Sequence, residues 1–110
     1  MKKLNNYRYF DSESFLKGKT LAYLKGKSQY DEKFKGVSIT VIILKDPENE
    51  NEGEQFTVKV VGVQESFLNQ FKMLDIVQLY DITKATVYGD FQNQLSIHAK
   101  IKKVANNSND

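Results

Sequence analysis

Cysteine is missing altogether, and histidine and proline occur once each. Without thiols the chain forms neither a disulfide framework nor a thiolate metal site, which suits a reducing compartment, and the cytoplasm is the expected location. The single imidazole, His98, leaves a metal or nucleophilic site dependent on carboxylates that no spacing brings beside it. No apolar run approaches the roughly 20 residues needed to cross a bilayer. The longest candidate, residues 37–44, has the length of a strand. Lys2 and Lys3 are followed by Leu4-Asn5-Asn6-Tyr7-Arg8, too polar for the core of a signal peptide. Phosphate-cradling glycine loops, nucleophile elbows and metal-ligand spacings are not found either, so the expectation is a non-catalytic protein without metal or cofactor.

What is present is a globular composition, 40% apolar and 27% charged over 110 residues, enough for one core and one domain. The net charge of +2 conceals a division along the chain. Residues 1–45 hold ten Lys/Arg against four Asp/Glu, residues 46–54 hold five acids and no base, and the remainder is nearly balanced. A basic patch in the first half can attract phosphates even though the total charge is small.

The periodicity is that of strands. After the polar Asp11-Ser12-Glu13-Ser14, a first strand is expected over residues 18–25, with residues 26–36 as a charged loop. Residues 37–44 are dense in β-branched side chains and read as a buried strand. Asp46 to Glu54, with Pro47, Gly53 and two asparagines, reverses the chain. Phe56, Val58 and Val60 then alternate with Thr57, Lys59 and Val61, the period of a strand with one face on a core. Phe67, Leu68 and Phe71 share one side of one or two helical turns. Strand character returns at residues 76–80 and continues through residues 85–88, with a bend near Asp81. Residues 89–93 turn, and Leu95, Ile97, Ala99 and Ile101 mark a last strand.

Three strands, a short helix and two more strands is the order of an OB-fold. The expected fold class is therefore all-β: a five-stranded OB-fold-like Greek-key barrel with a short helix between strands 3 and 4. An SH3-like barrel is the main rival. Residues 1–14 are expected as an N-terminal arm, 15–104 as the barrel and 105–110 as a flexible tail.

From residue 55 to 104 the hydrophobic order carries a likeness. A strand ending near Gly62 precedes Ser66-Phe67-Leu68-Asn69-Gln70-Phe71, then Asp75-Ile76-Val77-Gln78-Leu79, then Leu95-Ser96-Ile97-His98-Ala99 and Ile101-Lys102-Lys103-Val104. This half of the chain resembles the small OB-fold accessory proteins of Gram-positive conjugative elements and plasmids, the helicase processivity factor among them. The resemblance implies single-stranded DNA as ligand, a helicase or other replication or conjugation protein as partner, and a role in replicating a mobile element. The acidic stretch 46–54 and the segment Tyr7-Arg8-Tyr9-Phe10 depart from that pattern.

The residues themselves offer a matching surface. Lys25, Lys27, Tyr30, Lys33, Phe34 and Lys35 crowd the expected first loop, and Tyr88 and Phe91 flank the last one. Lysines neutralise phosphates while aromatic rings stack on bases, about 1–3 kcal/mol for each stack, without regard to base identity. The two aromatic loops are expected to lie near one another. Tyr30 and Phe34 equally suit pinning the loop to the barrel. Thr57 and Lys59, with Ser38 and Thr40, are placed on an outward strand face that nucleic acid can cross, although Val61, Ile42 and Leu44 make that face partly apolar. Lys100 adds to a basic surface, and His98 beside it reads as an exposed strand residue. The acidic run suits a cation loop, a docking segment, a guard against phosphate or a plain solvated loop; it lacks the ligand pattern of an EF-hand. A protein-interaction module docking through that loop or a sheet edge is the competing reading.

Overall fold

The computed structural model describes residues 15–30, 35–47, 50–88 and 94–104. The segment 7–10, Lys33, Phe34, Phe91 and the expected tail lie outside the described residues. Five strands form one sheet: β1 (Thr20–Tyr30), β2 (Lys35–Lys45), β3 (Gln55–Val61), β4 (Ile76–Tyr88) and β5 (Gln94–Lys103), with a 3-10 helix, Glu65–Gln70, between β3 and β4. Hydrogen bonding runs β1-β2-β3-β5-β4, and β1 also pairs with β4 through Leu21↔Val77 and Ala22↔Ile76, so the sheet closes on itself. The β3–β5 pair is parallel and the other pairs are antiparallel. No described helix is long and apolar enough to cross a membrane.

The alternation in sequence sets which side chains point inward. Val37, Ile39, Val41 and Ile43 of β2 are fully enclosed, together with Val58 of β3 and Ile97 of β5. Phe15, just before β1, joins this core with no exposed surface. Beneath one part of the sheet, the Tyr23 and Phe71 rings stack at 5.0 Å, and Phe67 meets Phe71 edge-on at 5.6 Å. Burial pushes the Tyr23 hydroxyl above its ordinary pKa.

β1 runs five residues further than the sequence suggests, taking up the first five of the eleven residues expected as a charged loop. Its inward positions there are Gly26 and Ser28, too small to register as a hydrophobic face. A Cβ on Gly26 would stand 2.7 Å from a Leu68 methyl, so the bare glycine leaves room for the Leu68 side chain from the 3-10 helix. At Gly36 a Cβ would come within 2.0 Å of the Val60 carbonyl oxygen, a clash with backbone that no rotamer relieves. The expected bend in β4 is an irregularity between Tyr80 and Lys84, where Asp81 adopts φ 49° and extra residues oppose β5.

The acidic stretch is anchored at its first residue. Asp46 is buried, lies 3.6 Å from the Lys19 ammonium, and accepts a hydrogen bond from the Asn51 N–H at 3.0 Å. Lys19 also donates to the Phe15 carbonyl and sits 4.3 Å above the Phe15 ring. A purely solvated loop is thus corrected for Asp46 and Asn51, both enclosed, while Glu52 and Glu54 remain exposed.

Candidate nucleic-acid interface

Residues in register across neighbouring strands project to the same side of a sheet, so pairing converts sequence positions into rows. From Lys25 to Tyr30, β1 pairs with β2 without a shift, which puts Lys25 opposite Thr40 and Lys27 opposite Ser38. β2 places Thr40 opposite Thr57 and Ser38 opposite Lys59. The parallel β3–β5 pair places Thr57 beside Ser96 and Lys59 beside His98. β4 completes both rows, with Thr86 opposite Ser96 and Lys84 opposite His98.

Two polar rows therefore cross all five strands on the outward side. One is Lys25, Thr40, Thr57, Ser96 and Thr86; the other is Lys27, Ser38, Lys59, His98 and Lys84. Neither contains a carboxylate. Four strand spacings of about 4.8 Å give each row an arc of about 19 Å. Between β1 and β3 the surface dips into a depression of about 350 Å³ lined by Lys25, Gly26, Lys27, Ser38, Thr40 and Thr57. A larger groove, about 670 Å³, follows the short β1–β4 seam. Its wall is largely aliphatic, with Leu16, Leu21, Ile76, Leu79 and Val104, and it lies away from these rows.

The expected site residues divide on this frame. Lys25, Lys27, Thr57 and Lys59 belong to the rows. Tyr88 extends them, since it pairs with Gln94 one step beyond Thr86 and Ser96, and its side is 45% exposed. Lys100 shares the outward face of β5 but pairs with Tyr80 and forms an ion pair with Asp81 at 3.4 Å. Tyr30 and Lys35 do not join. They pair with each other at the end of the β1–β2 hairpin, and strand alternation turns Tyr30 to the side of Gly26 and Ser28. The Tyr30 hydroxyl donates to the Val63 carbonyl at 3.4 Å, although the residue stays 56% exposed. Because β1 and β4 are antiparallel, Tyr30 and Tyr88 stand at opposite ends along the strand direction, while the loops beyond them, 31–34 and 89–93, lie outside the described residues.

Four row members carried no weight in the sequence reading: Lys84, Thr86, Ser96 and His98. Their signal was the shared parity with Tyr88 on one strand and with Lys100 on the other. Expected as an exposed residue, His98 is half-buried between Lys59 and Lys84. Burial, then Lys59, then Lys84 hold its imidazole below the usual pKa. On the outer side of β4, the Lys102 ammonium lies 5.6 Å from the Tyr80 ring centre.

The acids bound one end of this surface. Glu52 and Glu54 sit in the β2–β3 loop, at the end of the rows nearer Tyr88, while Lys100 and Lys102 lie beyond the other end. The chain matches no protein-family model, no curated protein and no solved structure.

Proposed function

We propose that the chain is a non-catalytic single-stranded DNA-binding module, a five-stranded OB-type Greek-key barrel whose outward rows carry the strand. The observation that supports this most is the alignment, across all five strands, of four lysines, one histidine and five hydroxyl side chains with no carboxylate among them. Lysines neutralise phosphates, hydroxyls donate to phosphate and sugar oxygens, and the absence of acids removes repulsion along the path. The Greek-key order, the parallel β3–β5 pair and the short helix after β3 support the OB reading. The resemblance of residues 55–104 to accessory proteins of conjugative elements supports a place in mobile-element replication or conjugation, assisting a helicase.

Fluorescence anisotropy of a labelled oligo(dT) against salt tests the reading. With four row lysines on phosphates, log affinity should fall against log salt with a slope of about −3, because single strands release about 0.7 counterion per contact. Lys59→Ala should lower affinity and flatten the slope by about 0.7. Folded protein that fails to bind at low salt would sink the proposal.

A second reading, docking on a replication or conjugation protein, draws on another surface: Met73, Leu74, Ile76 and Val104 leave large apolar side chains exposed around the start of β4. Capture of such a protein that oligo(dT) does not displace, and Met73→Ser/Leu74→Ser does, would favour it.

A further inference from the structure

We propose that β4 pairs along its free edge with the same strand of a second copy of this chain, giving a two-fold dimer held by an antiparallel β4–β4 ladder. The proposal is independent of the DNA-binding reading, and either can fail alone.

The edge comes from the uneven way in which the sheet closes. β4 has 13 residues, and only Ile76 and Val77 meet β1. From Gln78 to Tyr88, apart from the irregular residues 81–83, the strand pairs with β5 on one side; among the described residues no strand pairs with the other side. Such an edge is a template for another strand, because it presents a row of N–H and C=O groups. Its side chains are incompletely covered as well. Leu79, Ile82, Ala85 and Val87 pack against the core yet are only half-buried, whereas Val37, Ile39, Val41 and Ile43 of β2 are fully enclosed. The groove of about 670 Å³ leaves space beside Gln78, Leu79 and Tyr80, with Leu16 and Leu21 on its other wall.

The pattern of β4 is complementary to itself. In an antiparallel pair, residues directly opposite share a face. Setting Thr83 on the two-fold axis places Leu79 opposite Val87 of the second copy, Tyr80 opposite Thr86 and Gln78 opposite Tyr88, and symmetry repeats each pair. Leu79 and Val87 are both half-buried and inward, while the other four side chains are exposed. A slip by one residue would set inward side chains against outward ones in both halves of the ladder.

Charge fits the same register. Lys100 of β5 stands opposite Tyr80, one position from Asp81, and its ammonium reaches the Asp81 carboxylate at 3.4 Å. Lys84 of the second copy stands opposite Ile82, an equal offset from Asp81 on the free edge. The Asp81 side chain is 64% exposed, so its carboxylate is open to this second cation. A bulge and a lysine on an edge commonly discourage pairing. Here the irregular residues, where Asp81 adopts φ 49°, fall on the axis and meet their own copy, and Lys84 meets an acid instead of another lysine. Both devices act against an unrelated strand more than against this one.

Sedimentation velocity of the full chain over about 5–500 μM tests the proposal, a range that covers weak as well as firm pairs. The protein should pass from monomer to dimer as concentration rises, with no larger species, since a two-fold contact occupies the edge of both copies. Lys84→Glu sets like charges together twice and should weaken self-association about tenfold. Asp81→Asn in that background removes the repulsion and should restore part of the loss; asparagine also tolerates the positive φ. Circular dichroism checks that each variant keeps the fold. Because the chain has no cysteine, Thr83→Cys adds a single thiol on the axis, and mild oxidation should link two chains through it, whereas Glu65→Cys on the 3-10 helix should not.

A monomer throughout the range overturns the proposal. So does a dimer that Lys84→Glu leaves as strong as before, or one in which Thr83→Cys cross-links no faster than Glu65→Cys, since either places the contact on another surface. Every sample is free of oligo(dT), so none of these outcomes bears on the DNA-binding reading.

Discussion

Lys19 and Lys59 carry the same charge about forty positions apart, and the fold treats them oppositely. The Lys19 side chain is 4% exposed and its partner Asp46 1%. It is surrounded by a carboxylate, a carbonyl and an aromatic face, all supplied by neighbouring chain. Lys59 and Lys84 flank a half-buried histidine, in rows without an acid. The buried ion pair joins the entry to β1 with the exit from β2; Lys59 and Lys84 instead stand in register on either side of His98. A charge count along the sequence merges the two. Pairing removes Lys19 from the basic first half and Asp46 from the acidic run, so the excess on the outward face resides in fewer lysines than the count implies.

The sharpest way to break that contrast is Asp46→Ala. It strands the Lys19 ammonium in a buried setting and removes the acceptor for the Asn51 N–H, so the expected loss is about 3–5 kcal/mol in urea unfolding. The fraction that stays folded should bind oligo(dT) as before. Lys19→Met/Asp46→Leu should recover most of the loss, since a buried pair is often replaceable by apolar side chains of similar size. A small stability change in Asp46→Ala, or a matching fall in DNA affinity, would mean that the two groups of charges are not separate.

Much of this architecture was legible before the coordinates. The β-branched run of β2, the strict alternation in β3 and β5, the turn at Phe67 and Leu68 and the bend at Asp81 all have local causes, and each is where it was expected. β1 past Lys25 was not legible. Its inward residues are Gly26, which lies against Leu68, and Ser28, and a strand whose inner face is small has no hydrophobic period to read. Phe15 was hidden by polar neighbours. The rows were out of reach for a different reason: register between β3 and β5 depends on closure of the sheet, a non-local property, and only that register makes His98 the neighbour of Lys59.

Parity also separates the two tyrosines that composition made equivalent. Tyr88 points outward with Lys84 and Thr86, while Tyr30 turns toward Val63. Tyr88→Ala should therefore weaken oligo(dT) binding by about 1–3 kcal/mol, the range for one base stacked on one ring. Tyr30→Ala should leave affinity nearly unchanged. Equal losses in the two variants, measured by anisotropy at one salt concentration, would show that the rows do not define the path of the strand.

The smallest effect is one of sign. His98 has a folded-state pKa below its unfolded value, so the unfolded chain takes up the proton more readily. Its contribution to stability is present above the ordinary value of 6.5 and is lost as pH falls through the depressed folded value. The urea midpoint of the wild type should therefore drop between about pH 8 and about pH 5 by more than that of His98→Gln, which has no imidazole to charge. Lys59→Gln should narrow the difference, because it removes one of the charges that hold the ring neutral. Identical pH dependence in wild type and His98→Gln would show that Lys59 and Lys84 act on solvent and not on the histidine between them.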